Sequence, residues 1–393
     1  MAQPGFIFVC NALDDHTRRE RNIVTDSPAA SRKILLTASA LRMCGVRSFV
    51  ISFGRGRADG SLRWHRSCVK RINGVIYLYA PFCNIPILSE IVSVFGVLPL
   101  IARLRLGNDA VLLFYNRLTA YIPTIIWSNV LGYRCFLDLE DGEVDGKNTA
   151  SKVSKFSLRL KRTFFDFFCH HGSLVACNEL QGHTGIRPAA SYYGTTEDLF
   201  RETHFASSTV TCLMSGSLSE DTGALVLIEA IRLLRTEGDN RAGKLRFEIC
   251  GKGDRHEDFV DIAGFEAGVD VVVHERLADI EYARLVARCD VGLALKTVNG
   301  PLANTTFPSK VIEFACNGLL ILSTDISDVR VLFGNGARYL SVSDPSLLRD
   351  ELLAVVDDIA AARSSAIAGQ QRIKEKCCPE STGPWLKKFF YGE

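Results

Sequence analysis

The sequence has no run of the ~18–20 apolar residues that a helix needs to cross a bilayer. The nearest stretch, Ile91–Ala102, is short and broken by Ser93, Gly96 and Pro99. There is no CxxC pair, which removes the usual spacings of a zinc site or a dithiol redox centre, although 13 of the 393 residues are cysteine. Those cysteines are scattered singly through apolar segments such as FVCNA, RFEICGK and IEFACNG, and the adjacent Cys377 and Cys378 are badly placed to bridge each other. Buried, reduced thiols are therefore expected. Neither GxGxxG nor a P-loop occurs, which argues against a dehydrogenase and against a nucleoside triphosphatase. Collagen-like, coiled-coil and low-complexity patterns are missing too. The opening MAQPGFIFVCNALDD carries no basic segment ahead of an apolar core, so a cytosolic protein is expected rather than a secreted one.

What is present is the balance of a folded chain: 47% hydrophobic and 23% charged residues. The length suits two or three domains of ~100–200 residues. The net charge of +2 hides an asymmetry, because residues 1–205 hold 25 Lys and Arg against 17 Asp and Glu, and residues 206–393 hold 21 against 27. Short apolar runs alternate with helical periodicity, the pattern of βα units and parallel sheets. Strands are expected at 6–10, 48–53, 75–79, 110–115, 134–139 and 174–176, and again at 210–215, 246–250, 271–274, 291–295, 319–323 and 337–340. Helices fall between them, among them 29–43, 121–131, 223–236, 279–288, 308–317 and 345–359. Two doubly wound domains follow, 1–205 and 206–393, with the seam in the polar stretch TTEDLFRETHFASS and the C-terminal tail a candidate to cross back. In such sheets ligands sit at the carboxyl ends of the strands.

The strongest local signal is NGPLANTTFPSKVIEFACNG, residues 299–318. Pro308 suits a first helical position and Gly318 a left-handed stop. The free amides of that helix start, beside Ser309 and Lys310, make a seat for a phosphate. Glu313, four residues after Ser309, lies on the same face and is placed to bind sugar hydroxyls.

From these residues the chain resembles the family-4 glycosyltransferases. The segment FPSKVIEFACNGLLILST is similar to their donor-binding segment, and LMSGSLSEDTGALVLIEAI, FEICGKGD and HERLADIEYARLVARCDVGLAL agree in order and spacing. In the first half, SPAASRKILLTASALRMCGVRSFVISFGRGR resembles the family's first helix and second strand. The resemblance implies the GT-B fold, two Rossmann-like domains facing across a cleft, and transfer of a sugar from a nucleotide diphosphate sugar with retention. It implies an acceptor-binding first domain and a donor-binding second domain. It also implies that Glu313 holds the donor ribose, that Gly216 lies on the donor, and that the backbone around Arg276 meets the nucleobase. Three positions depart from the family. Thr305 stands where a second acidic residue is usual, and Ser217 and Thr222 stand where Arg and Lys clamp the diphosphate. Lys310, with Lys252 or Lys296, is expected to supply that charge.

Other constellations carry more than one reading each. Gly251-Lys252-Gly253-Asp254 is a close-approach loop or an ordinary turn. Asp138, Glu140 and Asp141, ending a strand in FLDLEDGEVDG, are catalytic or acceptor-side carboxylates, a weak DxD-like Mg²⁺ site, or a solvated turn. Arg21, Ser27 and Lys33, in RRERNIVTDSPAASRK, form a phosphate or acceptor loop or simply a basic helix start. Residues 152–168 make an amphipathic helix with Lys152, Lys155, Arg159 and Arg162 on one stripe and Phe156, Leu160, Phe164 and Phe167 on another, either core-packed or attached to anionic lipid.

The expected function is a glycosyltransferase acting on a glycan or lipid-linked glycan in polysaccharide biosynthesis, cytoplasmic or peripheral on the inner face of a membrane. No cofactor or metal beyond the donor and no nucleic acid partner is expected. The alternative is a non-catalytic GT-B subunit that binds nucleotide or a partner transferase.

Overall fold

The computed structural model describes residues 4–392 apart from 24–26, 57–59, 105, 107, 108, 143–151, 198, 204, 265–267, 276 and 300–302, and leaves aside the side chains of 86, 87 and 152–155. The chain divides into two units, Met1–Glu197 with Cys377–Glu393, and Asp198–Lys376. The division thus falls earlier than residue 205, and the last helix belongs to the first unit.

In unit 1 the order is β1 (Gly5–Cys10), α1 (Asp15–Glu20), α2 (Pro28–Met43), β2 (Arg47–Ser52), β3 (Trp64–His65), β4 (Cys68–Ile72), β5 (Val75–Tyr79), β6 (Phe82–Cys83), α3 (Pro86–Leu104), β7 (Val111–Tyr115), α4 (Ile122–Val130), β8 (Arg134–Leu139), α5 (Lys152–Phe168), β9 (Ser173–Val175) and β10 (Ala189–Ser191). Its eight-stranded sheet runs β10-β9-β8-β7-β1-β2-β5-β4. All pairs are parallel except β4 with β5, where the hairpin turn Asn73-Gly74 takes positive φ at both residues. β1, GFIFVC, is buried at every position, as a strand covered on both faces must be.

Unit 2 continues with β11 (Val210–Ser217), α6 (Ala224–Thr236), β12 (Leu245–Lys252), α7 (His256–Ala263), β13 (Asp270–His274), α8 (Asp279–Val286), β14 (Val291–Ala294), α9 (Lys310–Cys316), β15 (Leu320–Thr324), α10 (Val329–Phe333), β16 (Ala337–Leu340), α11 (Pro345–Asp357) and α12 (Ile359–Cys377). Its six strands are all parallel in the order β13-β12-β11-β14-β15-β16. The final helix, α13 (Pro379–Tyr391), explains the return to unit 1. Its Leu386 and Phe390, one turn apart, are fully buried, and the Phe390 ring lies 5.4 Å from Phe6 and 5.0 Å from Phe136. Burying such side chains contributes about 1.5–3 kcal/mol each, which anchors the end of the chain on the first sheet.

The strand order reverses in each sheet beside its first strand, next to β1 in unit 1 and next to β11 in unit 2. The crevice outside the carboxyl ends of those strands is where an open α/β sheet receives a ligand. All 13 cysteines are free thiols.

Candidate active site

In unit 2 the carboxyl ends of β11, β12 and β14 meet the start of α9. The apolar residues of α9, Val311, Ile312, Phe314 and Ala315, are buried, which leaves Lys310 and Glu313, three apart, on its open side. Lys310 Nζ donates to Glu313 Oε2 at 2.8 Å and to the Tyr282 hydroxyl at 3.0 Å, and lies 4.8 Å from the centre of the Tyr282 ring. Tyr282 OH in turn meets Ser215 Oγ at 2.8 Å. Strand β11, helix α8 and helix α9 are thus joined by one polar chain. Gly216 follows Ser215, and a Cβ placed on it would stand 3.8 Å from Lys310 Cε, so its bare backbone faces the ammonium.

Burial alone would lower the Lys310 ammonium, but the Glu313 carboxylate and the Tyr282 hydroxyl more than offset it and hold its pKa above the ordinary lysine value. Burial and the same carboxylate push the Tyr282 phenol up. The site therefore presents a fixed cation and a neutral hydroxyl at neutral pH. Tyr282 and Ser215 escaped the sequence reading. The signal was available in Tyr282, which lies one turn before the buried Leu285 and Val286 of α8.

Lys252 ends β12 opposite Ser217 of β11 and is exposed. Between them the two strands come unusually close: a Cβ on Gly251, at φ +157°, would lie 1.9 Å from the Gly216 carbonyl oxygen. Gly251→Ala is expected to destabilise the protein by about 1–3 kcal/mol, the usual cost of forcing atoms into a packed site, measurable as a lower midpoint in urea. Lys296, after β14, contacts the Thr306 hydroxyl. Thr305 Oγ1 is buried and hydrogen-bonds to none of the described residues.

Several expectations change here. The helix begins at Lys310 rather than Pro308, with Val311 N bonded to Pro308 O and Ile312 N to Ser309 O. The amides of Val311 and Ile312 are therefore used within the first turn. Ser309 precedes the helix without a side-chain cap bond. Thr222 is no vacant slot for a cation, since its hydroxyl donates to Ser217 O at 2.7 Å and accepts from Ser219 N at 3.0 Å, closing the turn before α6. Arg276 lies outside the described residues.

In unit 1 the expected phosphate loop is a set of structural contacts. Arg21 is 1% exposed, donating to Gly54 O and Ala80 O at 2.9 Å each, with its guanidinium over Tyr79 and Phe82. Ser27 caps α2 by accepting from Ala30 N at 3.4 Å. Lys33, on α2, reaches the carboxylates at the end of β8: its Nζ is 3.2 Å from Asp138 Oδ1 and touches Glu140, and lies 5.0 Å from the centre of the Tyr192 ring. The Lys33 ammonium thus sits against two of the three carboxylates that end this strand. Tyr192 OH meets Thr37 at 2.8 Å and Thr195 at 2.7 Å. Asn116, in the left-handed region at φ 60°, accepts from Glu140 N at 2.8 Å and so fixes the turn after β8.

With both carboxylates ionised, one ammonium would leave an excess negative charge in a buried place. Burial pushes the Asp138 carboxyl up to about 8 against the pull of Lys33. Its Oδ2 makes no hydrogen bond among the described residues. Burial likewise works against the Lys33 charge, but Asp138 and Glu140 hold its pKa above the usual lysine range. Glu140 is partly exposed and Asp141 exposed.

Two units of largely parallel sheet, each with its crevice at a strand-order reversal, are the architecture of the GT-B fold. The protein solved as Alr3699/HepE from Anabaena in complex with UDP superposes with a TM-score of 0.68 at 13% identity, covering 99% of this chain and 100% of the other. A glycosyltransferase from Rickettsia africae gives 0.68 at 12% identity with both chains covered fully. Sucrose-phosphate synthase from Thermosynechococcus elongatus gives 0.67 at 11%, covering 99% and 98%. No curated protein matches the sequence itself. Residues 209–358 match the family described as glycosyl transferases group 1, so unit 2 is a group 1 glycosyltransferase domain within a chain of GT-B fold.

Proposed function

We propose that the protein transfers a sugar, with retention of configuration, from a nucleoside diphosphate sugar to a glycan or lipid-linked glycan. The observation that carries this reading is the chain Ser215–Tyr282–Lys310–Glu313 beside the bare backbone of Gly216, at the strand-order reversal of unit 2. The Lys310 ammonium meets the charge that grows on the departing diphosphate. A preorganised cation of this kind acts on the transition state rather than on the ground state. Glu313 accepts hydroxyl protons of the donor ribose, and Lys252 and Lys296 add positive charge at the rim. Cationic side chains rather than a metal ion neutralise the leaving group. Unit 1 takes the acceptor. There Glu140 and Asp141 are the carboxylates an acceptor hydroxyl can reach, while Asp138 acts through Lys33 as a positioning residue. A lipid-linked acceptor places the protein on the inner face of a membrane, and polysaccharide assembly is the process served.

The similar Alr3699/HepE, solved with UDP and with UDP-glucose, makes uracil the first base to try. In a thermal-shift series of nucleoside diphosphates, the matching one at ~100 times its dissociation constant should stabilise the fold by ~2.7 kcal/mol, and its sugar should be turned over in the presence of acceptor. A shift without turnover would instead assign a non-catalytic nucleotide-binding subunit, the reading favoured by Ser217, Thr222 and Thr305. Failure of every nucleotide to shift the melting temperature would remove both and favour a scaffold that binds a partner transferase.

A further inference from the structure

We infer that the short ribbon of β3 and β6 in unit 1 is a subsite for an acidic glycan, whose charge is carried as carboxylate or phosphate. It would hold the part of the acceptor chain that lies away from the reacting sugar, and so rests on unit 1 being the acceptor side. β3 pairs antiparallel with β6, Trp64 opposite Cys83 and His65 opposite Phe82. β6 follows directly on β5, so the ribbon stands at the carboxyl end of the sheet, where the crevice opens. Its frame is tied down by Asn84, which is fully buried. The Asn84 amide N donates to Arg63 O at 3.2 Å, its carbonyl accepts from Gly60 N at 3.0 Å, and its side chain donates to Arg21 O at 3.0 Å. Arg21 in turn holds Gly54 O and Ala80 O. The buried arginine thus anchors the ribbon to the ends of β2 and β5.

Side chains alternate along a strand. His65 turns inward, its ring 6.1 Å from that of the buried Phe82. Trp64 therefore turns outward and is 58% exposed. Arg63 and Arg66 flank it, both exposed, and neither guanidinium pairs with a described residue. Residues 53–82 hold six Lys and Arg against one acid. Of those cations Arg55 is engaged by Glu90, and Lys70 by Asp14 and Glu20, unlike the two beside the indole. An uncommitted guanidinium fork suits the oxygens of a carboxylate or phosphate, and a bare indole face suits the apolar side of a sugar ring. Single-stranded nucleic acid would want successive aromatics along a basic groove, and β3, two residues long, is too short for a partner strand to pair with. β1, β2 and β5 are neighbours in the sheet, so at two strand spacings the ribbon stands about 10 Å from β1, beside which the strand order reverses. That is farther than one sugar reaches, which makes the ligand a chain.

The full chain is titrated with oligogalacturonates of increasing length, and with the same oligomers methyl-esterified, which keeps the ring and removes the charge. Phosphorylated and plain maltooligosaccharides form the second pair. Binding of an acidic series is expected, stronger for longer chains, weakened by salt, and about tenfold or more tighter than its neutral counterpart. Which acidic series binds decides between carboxylate and phosphate. The variant Arg63→Gln, Arg66→Gln should weaken that binding about 10–100-fold, the worth of a charged hydrogen bond. Trp64→Ala should weaken it about 3–10-fold. Melting temperature and UDP binding should be unchanged in both, which separates loss of the ribbon from loss of the fold or of the donor site. Should neither acidic series bind, should neutral oligomers bind as tightly, or should both variants bind as the parent does, the inference is overturned. It is equally overturned if anionic vesicles or single-stranded DNA bind through Arg63 and Arg66 while the acidic glycans do not. Glycan binding that the variants lose, without any response to nucleotides, would support the subsite and remove the transfer reading alone.

Discussion

Lys33→Met should lower the stability of the protein by about 3–5 kcal/mol near pH 8, the usual cost of leaving buried charges without their partner. Lys33 is the ammonium between Asp138 and Glu140, and Asp138 is wholly buried. Without it Asp138, whose carboxyl Lys33 pulls down, keeps its proton to higher pH still, and the buried cluster loses the cation that its carboxylates share. The loss should shrink as the pH falls, because Asp138 is then protonated with or without Lys33. The same logic sets the pH dependence of the parent. Asp138 holds its proton up to about 8 in the folded state, whereas an unfolded Asp releases it near ~3.9. Its contribution is therefore complete below the unfolded value and is lost as the pH rises through the folded one. Asp138→Asn should flatten that slope, and added to Lys33→Met it should restore part of the lost stability. Urea melts of the four proteins at pH 5 and pH 8 provide the measurement. A cost below ~1 kcal/mol at pH 8 would mean that the cluster is solvated and that Lys33 is available for a ligand after all.

Lys310→Met should reduce turnover by about 10²–10³-fold while leaving the fold intact, the scale of removing one preorganised group from a developing anion. The pair with Glu313 is partly exposed, at 40% and 25% of side-chain surface, and a pair of that kind contributes little to stability. A lost melting temperature would thus count against the functional assignment. The variant also leaves Glu313 without its cation beside the diphosphate. Glu313→Gln alone should weaken nucleotide binding by ~1.5–3 kcal/mol, the worth of a charged hydrogen bond, yet in the Lys310→Met background it should recover some affinity by removing the repulsion. Lys296→Ala should do less than Lys310→Met. Of the two family cations missing here, Ser217→Arg is the informative restoration, because Ser217 is exposed at the end of β11 whereas Thr222 is tied into its turn. Normal binding and turnover in both lysine variants would place the diphosphate elsewhere.

The sheets of both units were legible from the sequence because a strand buried on both faces is a short apolar run bounded by turn residues, and GFIFVC, RCFLDL and LILST show that directly. The helix of the candidate site was legible as well, since KVIEFAC buries one side and leaves Lys310 and Glu313 on the other. Its first turn was not. Whether the amides after Pro308 stay free depends on hydrogen bonds as small as Val311 N to Pro308 O, which propensity does not resolve.

What the sequence determined by itself is local: period, turn chemistry, and the residue types that gather at strand ends. Only the tertiary structure decided who meets whom. Lys33 and Asp138 are far apart in the chain and looked like members of two separate sites, but β1, β7 and β8 lie side by side and bring α2 over the end of β8. Arg21 looked like a free cation of an open loop and is instead a buried donor to two carbonyls. Tyr282 joined Lys310 and Glu313 because α8 and α9 both return to the same strand ends. Phe390 returned to Phe6 across nearly the whole chain. Such contacts cannot be read from spacing, because each is fixed by the packing of elements whose order in space differs from their order in sequence.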